Sequence, residues 1–327
     1  MQTIQLPANL RPILFPAKAR LLTFCAAAFL CLTIAARSAE AGKLCITDDT
    51  NTRVCLDAPA RRIAPLYAAI SEILDGLDRC NTVVVRTRGD DLACLHDVPA
   101  AGTHLRPNLE LILGLQPDLA VQMTGRKKAL LPVAQLREQG IPTAVFQVHN
   151  FEDLFRVIER IGVLTDSSPR AQELVQSMRQ RLDAIHARVA KLPRPKVFYE
   201  VRYPNLLGAG RNSMVNAVIE QAGGSNILQQ DEKLVRLNEE VLLAADPDVY
   251  LVQQGPMNPT PQPPAQRDHF KELKAVSNGR VLMVKERLYS RPSSRSVDAV
   301  EQLSRFLHPA AFSQASQDTS QGAPHAQ

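Results

Sequence analysis

Residues 169–192 carry one uninterrupted amphipathic helical pattern, and on both sides of it short apolar runs alternate with amphipathic segments. Alternating strand and helix patterns predict parallel sheets covered on both faces. A long strand-free helix between two such regions predicts two α/β lobes and a helical spacer. Pro169 suits the first turn of that helix, with Ser167 or Ser168 as its cap, and Pro193 and Pro195 end it.

Before the spacer the pattern predicts a hairpin over 44–56, strands at 63–66, 82–86, 118–122 and 143–148, and helices at 69–77, 108–115, 130–139 and 151–161. After it come strands at 196–201, 249–253 and 280–284, and helices at 213–222, 238–245 and 296–307. A faint internal repeat straddles the spacer. Asn108 and Asn238 each stand two residues before a glutamate (Glu110, Glu240) and nine before a Pro-Asp stop (Pro117-Asp118, Pro247-Asp248). A buried strand pattern follows each stop, as expected of two similar lobes. The expected boundaries are 1–41 leader, 42–165 first lobe, 166–194 connecting helix, 195–309 second lobe and 310–327 a polar, disordered tail.

The leader reads as a secretory signal. Lys18 and Arg20 precede an apolar stretch at 21–36, and Ala39-Glu40-Ala41 offers a cleavage site before Gly42. The stretch is short for a membrane span. Cys25 and Cys31 lie within it and do not follow a lipid-attachment pattern. The leader holds four cations and one acid, so cleavage takes the net charge from +5 to +2. That balance does not suit nucleic-acid binding.

Four cysteines remain after cleavage, and in an exported chain an even number implies disulfides, with three possible connectivities. Cys45 and Cys55 flank the turn-like run Asp48-Asp49-Thr50-Asn51-Thr52, which favours Cys45–Cys55 and leaves Cys80–Cys94. No Cys-x-x-Cys spacing points to zinc. Gly208-Ala-Gly210-Arg-Asn-Ser213 imitates a dinucleotide loop, but a serine stands at the third glycine and no acid marks the ribose position. No phosphate loop, nucleophile elbow or His-Glu-x-x-His helix is present, so the chain does not read as an enzyme.

The stretches Pro59-Ala-Arg-Arg-Ile63, Gly102-Thr-His-Leu-Arg-Pro-Asn-Leu-Glu110, Leu115-Gln-Pro-Asp118, Gln221-Ala-Gly-Gly-Ser-Asn226 and Asp246-Pro-Asp-Val-Tyr250, ordered around one central helix, resemble the periplasmic solute-binding proteins that serve ABC importers of iron–siderophore complexes, haem and cobalamin. The resemblance covers about residues 44–308. It implies two Rossmann-like lobes joined by a single long α-helix, with the ligand cleft between them at the carboxyl ends of the strands. It further implies a monomer with no intrinsic cofactor that captures an iron- or cobalt-containing chelate in the periplasm. The partner would be an inner-membrane permease dimer with ATPase subunits.

Within that frame the expected ligand-binding residues are Tyr67, Arg86, Arg88, His104 and Arg106 in the first lobe, and Arg202, Tyr203, Arg236, Tyr289 and Arg291 in the second. His104 occupies the loop that carries an axial tyrosine in haem-binding relatives, and imidazole ligates haem iron and cobalt, so it is the candidate metal ligand. An Arg- and Tyr-rich cleft would suit an anionic chelate. Glu110 and Glu240 match the surface glutamates that pair with permease arginines in the cobalamin-binding relative. The Pro-rich segment 255–266 has no place in the pattern beyond a lid or rim. A periplasmic metal or metallophore chaperone, or a sensor, would share the cleft without needing the two glutamates.

Overall fold

The computed structural model describes residues 43–124 and 127–313. The expected signal segment and the expected tail beyond Ser313 lie outside the described residues. The chain opens with the hairpin of β1 (Leu44–Thr47) and β2 (Arg53–Leu56), where Cys45 pairs opposite Cys55 and is disulfide-bonded to it. Asp48 closes the turn. Its buried carboxylate accepts from the amides of Thr50 and Thr52, each at 2.9 Å, and from the Val145 amide at 3.0 Å. Burial alone would raise its pKa, but the Thr50 hydroxyl and these amides hold it below the usual range. The hairpin is thereby bonded to the first sheet.

That sheet is parallel, in the order β3-β6-β7; along the chain run β3 (Ile63–Pro65), α1 (Ala68–Gly76), the two-residue strands β4 (Gly102–Thr103) and β5 (Arg106–Pro107), which pair as a separate antiparallel hairpin, α2 (Leu109–Gly114), β6 (Leu119–Met123), α3 (Leu131–Glu138) and β7 (Thr143–Phe146). The strand expected at 82–86 does not form. A 3-10 turn occupies Cys80–Thr82, and the following residues divide their bonds between two partners. The Val84 amide donates to the Ile63 carbonyl at 3.0 Å and the Arg86 amide to the Pro99 carbonyl at 2.9 Å. The Cys80–Cys94 disulfide closes this region.

Helix α4 (Phe151–Leu164) leads to the connecting helix α5 (Ser168–Val189). Its 22 residues span about 33 Å at 1.5 Å per residue. Ser167 occupies the N-cap position without making a side-chain cap, because its hydroxyl bonds the Thr165 hydroxyl at 2.6 Å. The buried stripe Ala171, Val175, Met178, Leu182, Ile185 and Val189 follows helical spacing. At Gly162 a Cβ would lie 2.7 Å from that of Ala171, so α4 and α5 pack at a distance that only glycine permits.

The second lobe contains β8 (Lys196–Arg202), β9 (Leu207–Ala209), α6 (Met214–Gln221), β10 (Ser225–Asn226), β11 (Leu234–Arg236), α7 (Glu239–Ala245), β12 (Val249–Gln254), α8 (Lys274–Ser277), β13 (Val281–Lys285), α9 (Glu286–Tyr289) and α10 (Ser296–Leu307). Its sheet runs β11-β9-β8-β12-β13, with β10 beside the start of β8. Strands β8, β12 and β13 are parallel, whereas β9 and β11 are antiparallel to their neighbours. One apolar core runs from the hairpin through α5 to α10. The connecting helix is therefore packed against both lobes and does not act as a loose tether. Residues 310–313 also join this body, since Phe312 is buried and the guanidinium groups of Arg188 and Arg305 lie 5.2 and 5.1 Å from its ring centre.

Candidate functional site

Open α/β sheets leave their strand ends unfilled at the carboxyl edge, and ligands settle there. The carboxyl ends of β6, β8 and β12 meet at a cavity of about 750 Å³ between the lobes, where Met123, Val201 and Gln253 form part of the wall. Most of the rest is apolar, with Val148, Met214 and Met257 among it. Polar and charged side chains interrupt this apolar lining, a mixture that suits a bulky organic ligand with polar substituents.

Tyr67 enters this wall because it is the extended N-cap residue of α1, two residues after the end of β3. Its ring meets that of His104 edge to face, with centroids 5.3 Å apart. His104 is the turn of the β4–β5 hairpin. The side-chain amide of buried Gln122 donates to the His104 carbonyl at 3.3 Å and steadies that turn. Burial pushes the Tyr67 phenol well above its ordinary pKa, the Glu286 carboxylate adds to this, and Arg291 opposes it. The phenol is therefore neutral at physiological pH.

The cavity is bounded by bonds between the lobes. On one edge Arg291 donates to Glu72 at 3.4 Å and to the Gly89 carbonyl at 2.9 Å, while its Nε donates to Glu286 at 3.1 Å. Ser293 also donates to Glu72, and Arg287 pairs with Asp91. Glu72 is buried, which raises its pKa against the opposing pull of Ser293 and Arg291. On another edge His149 Nδ1 lies 3.2 Å from the Asn212 carbonyl.

Four of the ten expected ligand-binding residues line the cavity: Tyr67, Arg88, His104 and Arg291. The others point elsewhere, each for a local reason. Arg86 turns back to the Val98 carbonyl at 2.9 Å. Arg106 and Arg236 are exposed on β5 and β11. Arg202 stands at the end of β8, where the pairing with β9 shifts register after Glu200, and it does not join Val201 in lining the cavity. Tyr203 packs against Arg267 and Phe270 away from the cavity, with the Arg267 guanidinium 3.9 Å from its ring centre. Tyr289 is fully buried and donates to Gln302 at 2.9 Å.

Sequence reasoning overlooked Gln253, Met214, Met257, Glu232 and Glu286. Counting from the repeated Pro-Asp stop aligns Gln253 with Met123, so the repeat itself carried a signal for Gln253. The charge lining the cavity is mixed. Arg88, Lys233 and Arg291 stand with Glu232 and Glu286, and Arg291 is already engaged by two carboxylates. The expectation of an Arg- and Tyr-rich cleft gives way to a largely apolar one.

Glu110 and Glu240 are both exposed, in the first turns of α2 and α7. Each follows an asparagine cap: Asn108 accepts from the Leu111 amide at 3.1 Å and Asn238 from the Val241 amide at 3.0 Å. Among the described residues, the His, Cys and acid side chains close enough to share an ion are Asp75, Cys80 and Cys94. The two sulfurs are joined to each other.

Comparison with known proteins agrees with this geometry. Residues 63–288 match the family model described as periplasmic binding protein. An uncharacterized ABC transporter substrate-binding lipoprotein, YvrC of Bacillus subtilis, is 25% identical over 285 residues, 85% of this chain and 90% of that protein. A cobalamin-binding protein of Halobacterium salinarum is 29% identical over 292 residues, covering 84% and 78%. The crystal structure of an ABC-type Fe3+-hydroxamate transport system from Saccharomonospora viridis superposes with a TM-score of 0.64 at 26% identity, covering 80% of this chain and 98% of that one. With two lobes on one packed helix, a cavity at their strand ends and a family match over most of the folded region, the chain belongs to the periplasmic binding protein family, whose members bind and carry solutes and are not enzymes.

Proposed function

We propose that the cavity captures a bulky metal chelate of the corrinoid, haem or ferric siderophore kind, and that the chain delivers it to an ABC permease dimer with its ATPase subunits. The observation that carries this reading is the cavity itself: about 750 Å³, largely apolar, with a Tyr67–His104 pair on its wall. Apolar walls suit the organic frame of such a ligand, and a few polar groups orient it. The names of the Halobacterium and Saccharomonospora relatives support the same class. The His104 imidazole is the donor for a metal position the chelator leaves open. The Tyr67 phenol, neutral by burial, gives up its proton only in exchange for a bound cation and otherwise acts as a hydrogen-bond partner.

Delivery uses Glu110 and Glu240, one on each lobe, as exposed carboxylates for cationic permease loops. Export follows from the leader reading. Among the described residues no helix is long and apolar enough to cross a membrane.

The test is titration of the mature protein with cobalamin, haem and a ferric hydroxamate, followed by visible absorbance. One of them binds tightly, and His104→Ala alters its band. Absence of binding to all three overturns the proposal. In vesicles carrying the permease, the double variant Glu110→Ala/Glu240→Ala keeps binding and loses uptake; undiminished uptake would point to a chaperone or sensor.

A further inference from the structure

We infer that the tight turn Gly255–Asn258 is a ligand-selecting rim of the cavity, and that the buried Glu200–Arg267 pair is the device that positions it. This rests on the proposed capture of a chelate and adds which part of the protein reads the chelate's periphery.

The turn leaves β12 and closes on itself. The Gly255 amide donates to the Asn258 carbonyl at 3.1 Å, and the Asn258 amide returns a bond to the Gly255 carbonyl at 2.9 Å. Its tip, Pro256-Met257, lines the cavity. Proline fixes the backbone there, and the methionine offers an adaptable apolar thioether. Gly255 has no room for a side chain: a Cβ would lie 2.4 Å from that of Glu286, another cavity residue. The turn is thus fitted against α9.

The base of the turn is held from below. Asn258 is 4% exposed and donates to Glu200 at 3.4 Å. Glu200 is fully buried, accepts from Tyr250 at 2.6 Å and receives both terminal nitrogens of Arg267, the second at 2.9 Å. The same guanidinium reaches back along the chain, where its Nε donates to the Gln262 carbonyl at 3.1 Å. The buried pair therefore ties the Pro-rich segment at two points, Asn258 through Glu200 and Gln262 through Arg267, while the rings of Tyr203 and Phe270 cover the guanidinium at 3.9 and 5.3 Å.

A surface loop could be held by apolar packing alone. A buried ion pair carries a desolvation cost that often cancels its attraction. Its advantage is direction, because a bidentate guanidinium–carboxylate pair fixes angle and distance where apolar contacts permit sliding. A device of that kind suits a wall whose position decides which ligand fits.

The test compares affinities for cobalamin, haem and a ferric trihydroxamate in the wild type, Met257→Ala and Asn258→Ala. Where the wild type binds one chelate only, the comparison is with an analogue of that chelate trimmed at its periphery. Met257→Ala shifts the ratio of affinities by roughly tenfold, the range a pocket gains or loses with one apolar group. Asn258→Ala shifts the ratio in the same direction, with Tm close to wild type and the His104-dependent band retained. Equal loss for every chelate, or no change, overturns the inference while leaving chelate capture standing. A wild type that binds none removes both.

Discussion

The two lobes share a helix–stop–strand unit yet are stabilised by different chemistry. In the first lobe Asn108 caps α2, Gln116 takes a left-handed φ of 47° before Pro117, and Asp118 accepts from the amides of Arg61 and Arg62 at 2.7 and 3.0 Å. In the second Asn238 caps α7, Asp246 takes φ 38° before Pro247, and Asp248 accepts from the Lys196 amide at 2.8 Å. A residue before proline is excluded from the right-handed helical region, so each helix ends at that point. Each aspartate then pins the strand beside its own. The frames agree, but the cavity residues they present do not: Met123 in one, Gln253 in the other. The same framework can thus present different side chains to the site.

Around these units the lobes diverge. The first has a three-stranded sheet and holds both disulfides, while the second has six strands and the buried Glu200–Arg267–Tyr250 network. A small sheet buries less apolar surface, and a cross-link compensates by restricting the unfolded chain.

The largest effect that would test this contrast is in the second lobe. Glu200→Ala strands a buried guanidinium and lowers stability to urea by about 3–5 kcal/mol, while the double change Glu200→Leu/Arg267→Met recovers most of it. A single variant as stable as wild type would mean the network holds nothing. Next comes the first lobe: replacing Cys80 and Cys94 by serine costs about 2–4 kcal/mol and raises amide exchange in that lobe first. The Cys45–Cys55 loop, at a separation of 10 residues against 14, costs a few tenths of a kcal/mol less. Exchange that rose equally in both lobes would erase the distinction.

The smallest effects test the likeness. Asn108→Ala and Asn238→Ala each cost about 1 kcal/mol, and a marked inequality would break the equivalence of the two caps. The Asp248 carboxylate is held below its usual range by Lys274 first, with the Lys196 amide assisting and burial opposing. Its stabilisation is complete above the unfolded value of about 4 and is lost as pH falls through the lower folded one. Asp248→Asn therefore flattens the acid limb of a stability–pH curve, and an unchanged limb would show that the pair contributes nothing.

Much of the framework was legible because its signals are local. Caps, stops and period are written within ten residues, so the long helix, the hairpin with its cysteines and the repeated units could be read directly. The run 82–86 misled because apolar residues at a sheet edge look like a strand while their hydrogen bonds go to two different partners. Arg202 and Tyr289 were expected in the cavity because a loop can be located from sequence more readily than the face of each side chain. A shift of one residue at a strand end exchanges cleft for core. Met257 was passed over because a proline-rich segment has no period to extrapolate.

From sequence alone came the two-lobed α/β plan, the long connecting helix and the cysteine pairing, while the region for a ligand came from the family resemblance. The plan, the helix and the pairing follow from short-range rules of backbone sterics, capping and apolar spacing. Tertiary structure alone decided which side chains face the cavity, that its wall is apolar more than cationic, and that Glu200 and Arg267, 67 positions apart, anchor its rim. Burial and pairing across such separations depend on how sheets and loops pack together, which no local spacing records.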